Sequence, residues 1–240
     1  RAGISFGWAA RGALWDVYDR ATEAGAALAD LLTLLRQLGG GRPVHAVGHS
    51  LGARVILRAM ATARAGELDR VILLAPAEFA SLADAAMRSP CGRAAQVLTV
   101  TSRENDLFEF GLELAITAPV SGDRCLGHDG LASPSAVTLQ LDHTGSLAAL
   151  ARAGYRIAPP RFVICHWSVY LRPGVFALYR AFLNGAEDAQ SLRALLPAQR
   201  PGRWSRLRPA LPPLRPRAAE PSGRWQALRG GLWAGRISPR

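Results

Sequence analysis

The chain has 240 residues, of which 49% are hydrophobic and 20% are charged, a composition typical of a globular protein that can bury a sizeable core. No run of 18 apolar residues occurs, so the sequence predicts no transmembrane segment. The net charge of +11 invites a nucleic-acid function, but residues 198–240 hold ten arginines and one acid and so carry +9 of it. Residues 1–197 are nearly neutral, and we predict no specific nucleic-acid binding.

The apolar patterns alternate between strand and helix. In chain order they predict a strand at 4–8, a helix at 14–38, a strand at 43–47, a helix after 50, a strand at 69–75, a helix at 81–88, a strand at 96–100, a helix at 107–116, a strand at 137–141, and helices at 147–153 and 173–183. Such alternation predicts an α/β fold with a mostly parallel sheet flanked by helices. Functional residues are expected in the loops at the carboxyl ends of the strands.

Residues 198–240 differ from the rest of the chain. They hold seven of the sixteen prolines and three tryptophans, together with the arginines, and no period is sustained. We therefore divide the chain into an α/β domain, residues 1–197, and an Arg/Pro-rich tail, residues 198–240, that we predict to be disordered. Tryptophans among arginines suit contact of this tail with an anionic surface.

The remaining composition argues against a metal, a cofactor and a disulfide framework. Cys91, Cys125 and Cys165 are odd in number and widely separated, which predicts a reducing, cytoplasmic environment. His45 and His49 are four residues apart but on a predicted strand and turn, so their side chains cannot converge as they would on one helix face. No Gly-rich phosphate-binding loop occurs.

The most informative segment is Gly48-His49-Ser50-Leu51-Gly52, which follows an apolar run and precedes a helical pattern. A serine hydroxyl becomes a nucleophile when a sharp strand-to-helix turn exposes it beside a base. The turn strains the serine backbone, and we expect both glycines to be required because side chains there would collide where strand and helix cross. The sequence predicts a catalytic serine at position 50.

A serine nucleophile in this architecture is expected to be followed along the chain by an acid and then by a histidine. Asp106 ends the polar loop after the strand at 96–100 and is the leading candidate for the acid. Glu104, in the same loop, is the alternative. Asp106 also precedes an apolar helix and could be its N-cap.

Three histidines after the serine compete for the role of base. His143 directly follows a predicted strand, which favours it slightly; His128 lies in a Gly-bounded loop, and His166 lies between an apolar run and a helix. His45 and His49 precede the serine, and we interpret them as structural, although His49 could line the pocket. Position along the chain leaves the choice of base open.

These motifs together resemble the α/β-hydrolase superfamily over about residues 1–185. The Gly-x-Ser-x-Gly segment is the specific part. Ser-Arg-Glu-Asn-Asp at 102–106 and His-Trp-Ser-Val-Tyr at 166–170 are similar to a branch of bacterial, esterase- and lipase-like serine hydrolases whose substrates are poorly defined. The resemblance implies that Ser50 attacks an acyl carbonyl, that His166 transfers the proton and that Asp106 orients the imidazole. It also implies that the Leu51 N–H donates to the oxyanion.

The implied function is hydrolysis of a small-molecule carboxylic ester or thioester through a Ser-His-Asp triad and an acyl-enzyme, without a cofactor. An acyltransferase with the same triad and a noncatalytic α/β-hydrolase-like module are the alternatives. The resemblance also implies more strands before the serine than the one at 4–8, so we interpret the domain as N-terminally incomplete. The resemblance places the second oxyanion donor in a loop after one of these earlier strands. Because loss of an oxyanion donor costs about 100- to 1000-fold in turnover, we expect this chain to be weakly active or inactive.

Overall fold

A computed structural model describes residues 3–205 of the chain. Within them, four strands form one parallel sheet in the order β1-β2-β3-β4. The strands are β1 (His45–His49), β2 (Arg70–Leu74), β3 (Gln96–Thr101) and β4 (Ala136–Gln140). Each strand pairs with the next one along the chain, so the carboxyl ends of all four meet at one edge of the sheet. The predicted α/β class with a parallel sheet is confirmed.

Ten α-helices are present in the described residues. They are α1 (Leu14–Leu38), α2 (Leu51–Thr62), α3 (Ala80–Met87), α4 (Pro90–Ala94), α5 (Asp106–Ala115), α6 (Leu126–Asp129), α7 (Thr144–Arg152), α8 (Ser168–Leu171), α9 (Val175–Asn184) and α10 (Ala189–Leu195). Helices α4, α6, α8 and α10 were not predicted, because four to seven residues are too few to show a helical period. Of the helices in residues 3–205, none combines the length and apolar content needed to cross a bilayer.

The strand predicted at residues 4–8 is wrong. These residues form no strand, and the Ile4 side chain is exposed. The Arg20 guanidinium holds the following segment by donating to the carbonyl oxygens of Ala9 and Arg11. A short apolar run becomes a strand only where another strand supplies backbone partners, and none within residues 3–205 does so here.

The core lies on both faces of the sheet. Along β2 the side chains alternate: Val71 and Leu73 join a cluster with α2, α3 and α4, whereas Ile72 and Leu74 join a cluster with α7, α9 and α10. All four are buried, as expected for a parallel strand that is covered on both faces. The sheet is therefore a rigid platform for the loops at its carboxyl edge.

A buried ion pair connects α1, α2 and the loop after β2. The fully buried Glu78 accepts hydrogen bonds from the Tyr18 hydroxyl, at 2.7 Å, and from the Arg54 guanidinium. Arg54 also donates to the carbonyl oxygen of Tyr18 at 2.9 Å. A buried carboxylate is tolerated only when it is paired and hydrogen-bonded, so these contacts fix the loop after β2 against the two helices.

The predicted boundary between domain and tail lies between residues 197 and 198. The first residues of the predicted tail, up to 205, pack on the domain. The Trp204 backbone N–H donates to Asp106, and Arg203 pairs with Glu109 and Glu113. The rest of the predicted tail, residues 206–240, lies outside the described residues.

The crossing of β1 and α2 depends on a glycine at position 48. A Cβ there would lie 2.6 Å from the Gly52 carbonyl oxygen and 2.7 Å from Ile56 Cδ1, closer than packed atoms can approach. A Cβ at Gly52 would meet no atom within 4 Å. The steric expectation is therefore correct for Gly48 and wrong for Gly52.

We expect Gly48→Ala to lower the free energy of unfolding by about 2–3 kcal/mol, because the strand and helix must separate to admit the methyl group. Gly52→Ala is the matched control. It should be neutral or stabilising by up to about 1 kcal/mol, because alanine is the better helix former. Urea unfolding followed by circular dichroism measures both, and equal losses for the two variants would contradict this account of the crossing.

Candidate functional site

Ser50 occupies a strained turn between β1 and α2. Its backbone angles are φ 55° and ψ −124°, a conformation that a residue with a side chain rarely adopts. Its N–H donates to Leu74 O at 2.9 Å, and its carbonyl oxygen accepts from the N–H groups of Ala53 and Ala77 at 3.0 and 3.1 Å. Leu51 begins α2, so its N–H has no partner inside the helix and lies at the positive end of the helix dipole.

The neighbouring strand ends in a second strained residue. Ala75 follows β2 directly and has φ 43°. Its N–H donates to Val100 O at 2.8 Å. Left-handed backbone at residues with side chains persists only where the surroundings enforce it, and it is concentrated at functional sites. Both β1 and β2 therefore end in enforced turns at the same edge of the sheet.

His166 lies beside the Ser50 turn. Its ring centroid is 4.4 Å from that of His49, the residue before Ser50, and His49 Nε2 lies at hydrogen-bond distance, 3.1 Å, from the carbonyl oxygen of His166. The Ser50 hydroxyl forms no hydrogen bond to His166 or to any other group in residues 3–205. Bonds between nucleophile and base are often long in enzymes without substrate and shorten when substrate binds.

The other two candidate histidines lie in different surroundings. His143 Nδ1 is bonded to the Ser146 hydroxyl at 3.0 Å, at the start of α7. His128 on α6 is bonded to Asp129 and Arg124. Neither is in ring contact with His49, whereas His166 is.

Asn105 accepts the hydrogen bond from the His166 ring. His166 Nδ1 and Asn105 Oδ1 are 2.6 Å apart, and Asn105 Nδ2 donates to Glu109 Oε1 at 3.1 Å. The second bond orients the amide so that its oxygen, not its nitrogen, faces the imidazole. With Nδ1 protonated, Nε2 is left as the proton acceptor, which is the form that a general base needs.

Asp106, the predicted acid, is not brought to His166. It is the first residue of α5 and is buried, and its Oδ2 accepts from the Trp204 backbone N–H at 2.6 Å. Asn105 ends the 3₁₀ turn Arg103–Asn105 and Asp106 begins α5, so the two adjacent side chains project in different directions, and it is Asn105 that meets the imidazole. Asp106 instead lines a cavity of about 320 Å³ together with Arg103 and Arg203. It is not the N-cap of α5, which is Asn105.

Sequence reasoning missed Asn105 because it considered only carboxylates in the loop after β3. The signal was present, since an amide oxygen also accepts from an imidazole, and Cys-His-Asn sites use one in this position. Asparagine in place of an acid keeps the ring orientation but adds no negative charge.

Glu104, the alternative acid, anchors the segment that carries His166. Its Oε1 accepts from the Phe162 N–H at 3.2 Å, and its carbonyl oxygen accepts from the Cys165 N–H at 2.8 Å. Its other carboxylate oxygen pairs with Arg172, which also donates to Leu141 O at the end of β4. Glu104 therefore fixes the backbone that precedes His166.

The environment keeps the imidazole uncharged. Burial, together with the smaller effect of the neighbouring His49, lowers the pKa of His166 to about 4. The Phe108 ring stacks on the imidazole with centroids 4.6 Å apart. Burial also raises the pKa of Glu109 to about 7, against the opposing effects of Asn105 and Arg203. At neutral pH His166 can accept a proton.

The chain matches one family model, described as a protein of unknown function (DUF726), over residues 12–90. That segment runs from just before α1 to the first residue of α4, so it includes the Ser50 turn but neither Asn105 nor His166. No curated protein and no solved structure matches the chain. The comparisons therefore supply no activity for this site.

The pH dependence of stability provides a test of the buried state of Asp106. Burial raises the pKa of Asp106 from 3.8 to about 6, so the folded state binds its proton more tightly than the unfolded state does. The free energy of unfolding should then fall as pH rises from about 4 to 6. Asp106→Asn removes this loss and should be more stable than the wild type by about 1–3 kcal/mol at pH 7, with little difference at pH 3.5.

Urea unfolding across this pH range measures the effect. Asp30→Asn, on the exposed face of α1, is the control for replacing an aspartate by asparagine outside the buried site. A constant difference for Asp106→Asn across the pH range would show that folding does not raise the pKa of Asp106.

Proposed function

We propose that this protein is a serine hydrolase that cleaves a carboxylic ester or thioester of a small molecule through an acyl-enzyme. The observation that carries the proposal is the left-handed backbone at Ser50, φ 55°, with the His166 ring next to the same turn. A parallel α/β sheet with this turn after a strand also agrees with membership of the α/β-hydrolase superfamily, which is part of the proposal.

The proposed reaction has two halves. The Ser50 oxygen attacks the acyl carbon while His166 Nε2 takes the hydroxyl proton, and the imidazolium then gives this proton to the departing alcohol or thiol. Water repeats the sequence on the acyl-enzyme and releases the acid. The Leu51 N–H and the start of α2 stabilise the negative charge on the carbonyl oxygen in both halves.

Asn105 replaces the carboxylate that the sequence led us to expect in the mechanism. It holds His166 in the productive tautomer, but it does not stabilise the imidazolium by charge. Glu109, bonded to the other end of the amide, is the nearest carboxylate in this chain of hydrogen bonds. We therefore propose a Ser50-His166-Asn105 triad backed by Glu109.

A noncatalytic module is the alternative that one observation favours. The Ser50 hydroxyl is not hydrogen-bonded to His166 in residues 3–205, and the group that orients His166 is neutral. In such a module the turn would be retained as structure only. The two functions differ in whether Ser50 reacts with an electrophile.

A fluorophosphonate probe should label Ser50, because it reacts with a serine whose proton is removed by a base. Labelling should be absent in Ser50→Ala and about 1000-fold or more slower in His166→Ala. His143→Ala is the matched control and should react as the wild type does. Mass spectrometry of the labelled peptide measures the outcome, and unreactive wild-type protein would support the module instead.

The pH dependence of kcat/KM tests Asn105. Because only neutral His166 accepts a proton, activity should fall as pH drops through the pKa of His166, about 4. Asn105→Asp places a carboxylate on Nδ1, which favours the charged ring, so the acidic limb should move up towards pH 6.5. Asp106→Asn should leave the limb in place. The reverse pattern would return the role of acid to Asp106.

A further inference from the structure

The surface around His166 is apolar and open. Five large side chains that surround it in sequence or in contact are 42–56% exposed, namely Phe108, Phe162, Val163, Ile164 and Trp167. We call these five residues the apolar rim. Phe108 stacks on the His166 ring, and Trp167 lies at a centroid distance of 6.0 Å from it. Exposed apolar side chains grouped in this way mark binding surfaces.

Hydrogen bonds to Glu104 fix the backbone of the segment that carries most of the apolar rim. Phe162 and Cys165 both donate their N–H groups to Glu104, which is buried and paired with Arg172. These bonds fix both ends of the segment that presents Phe162, Val163 and Ile164. The side chains of Phe162, Val163 and Ile164 are therefore exposed to solvent on a segment whose two ends are hydrogen-bonded to Glu104.

The chain segment that contains four of the five rim residues is positively charged. Residues 143–186 contain no aspartate or glutamate and five arginines, of which four are exposed: Arg152, Arg156, Arg161 and Arg180. Arg161 directly precedes the rim segment. Glu104 accepts a hydrogen bond from the Phe162 backbone, and Glu109 accepts one from Asn105. Both carboxylates are buried, and they are paired with Arg172 and Arg203 respectively. The charge that this segment presents to solvent is that of its arginines.

We propose that the apolar rim docks the protein on an anionic lipid bilayer, with the candidate site opening at the contact. Aromatic and branched side chains would enter the boundary between headgroups and acyl chains, and the arginines would bind the anionic headgroups. A second copy of this chain fits less well, because two basic surfaces would repel. The corollary, that the ester is a membrane lipid, rests on the proposed function; the docking does not.

Cosedimentation of the full chain with vesicles tests the docking. Wild type and Ser50→Ala should bind vesicles of phosphatidylcholine with phosphatidylserine roughly tenfold more tightly than vesicles of phosphatidylcholine alone. The double variant Val163→Ser/Ile164→Ser should bind the anionic vesicles about tenfold more weakly, and Arg161→Gln roughly fivefold more weakly. All variants keep residues 206–240, so the basic residues there are constant.

Two substitutions serve as matched controls. Leu38→Ser removes a 77% exposed leucine at the end of α1, and Arg42→Gln removes an exposed arginine shortly after it. Both should bind vesicles as the wild type does. Circular dichroism checks the fold of each variant, and Arg161→Gln provides a result even where the double variant does not fold.

The proposal is overturned where the double variant and Arg161→Gln bind anionic vesicles as tightly as the controls, or where neutral vesicles bind equally well. It is also overturned where the wild type sediments as a dimer that the double variant dissociates, since the occupant is then a second copy. Vesicle binding by Ser50→Ala needs no catalysis. Failure of the probe to label vesicle-bound wild type would therefore refute the proposed hydrolase and leave the docking intact.

Discussion

The close crossing of β1 and α2 at Gly48 is the constraint on which the site depends. Because no side chain separates the strand from the helix there, the chain must reverse within one residue, and Ser50 takes a left-handed conformation that costs on the order of 1–3 kcal/mol. Backbone bonds to Leu74, Ala53 and Ala77 enforce it. The same turn sets the Ser50 side chain at the carboxyl edge of the sheet and starts a helix dipole beside it.

The loop after β3 supplies the second half of the site through two neighbouring residues with different tasks. Glu104 fixes the backbone that leads to His166, and Asn105 orients the ring itself. An uncharged partner and a buried ring together favour neutral imidazole. The proposed enzyme would then keep its base active at low pH, at the cost of weaker stabilisation of the imidazolium during turnover.

Two buried carboxylates act as structural anchors in this fold, and both of them are paired with an arginine. Glu78 pairs with Arg54 and Glu104 with Arg172. Because these two carboxylates are neutralised by arginines in the core, the exposed arginines determine the charge that residues 143–186 present to solvent. The chain has no lysine among its 29 basic residues, and the planar guanidinium suits both uses, since it forms several directed bonds in the core and binds headgroup oxygens at a surface.

The sequence by itself determined what depends on one segment: α1, whose helical period runs for 25 residues, the buried β2 and the turn at Ser50. Only the tertiary structure decided what depends on separate segments meeting. Residues 4–8 have no strand to pair with in the part of the chain that the structure describes, and His166 bonds to Asn105 instead of the adjacent Asp106. A local sequence pattern indicates periodicity and burial, but it does not indicate which distant side chains meet. The partner of His166 lies 61 residues away along the chain. The 3₁₀ turn at Arg103–Asn105 determines that this partner is Asn105.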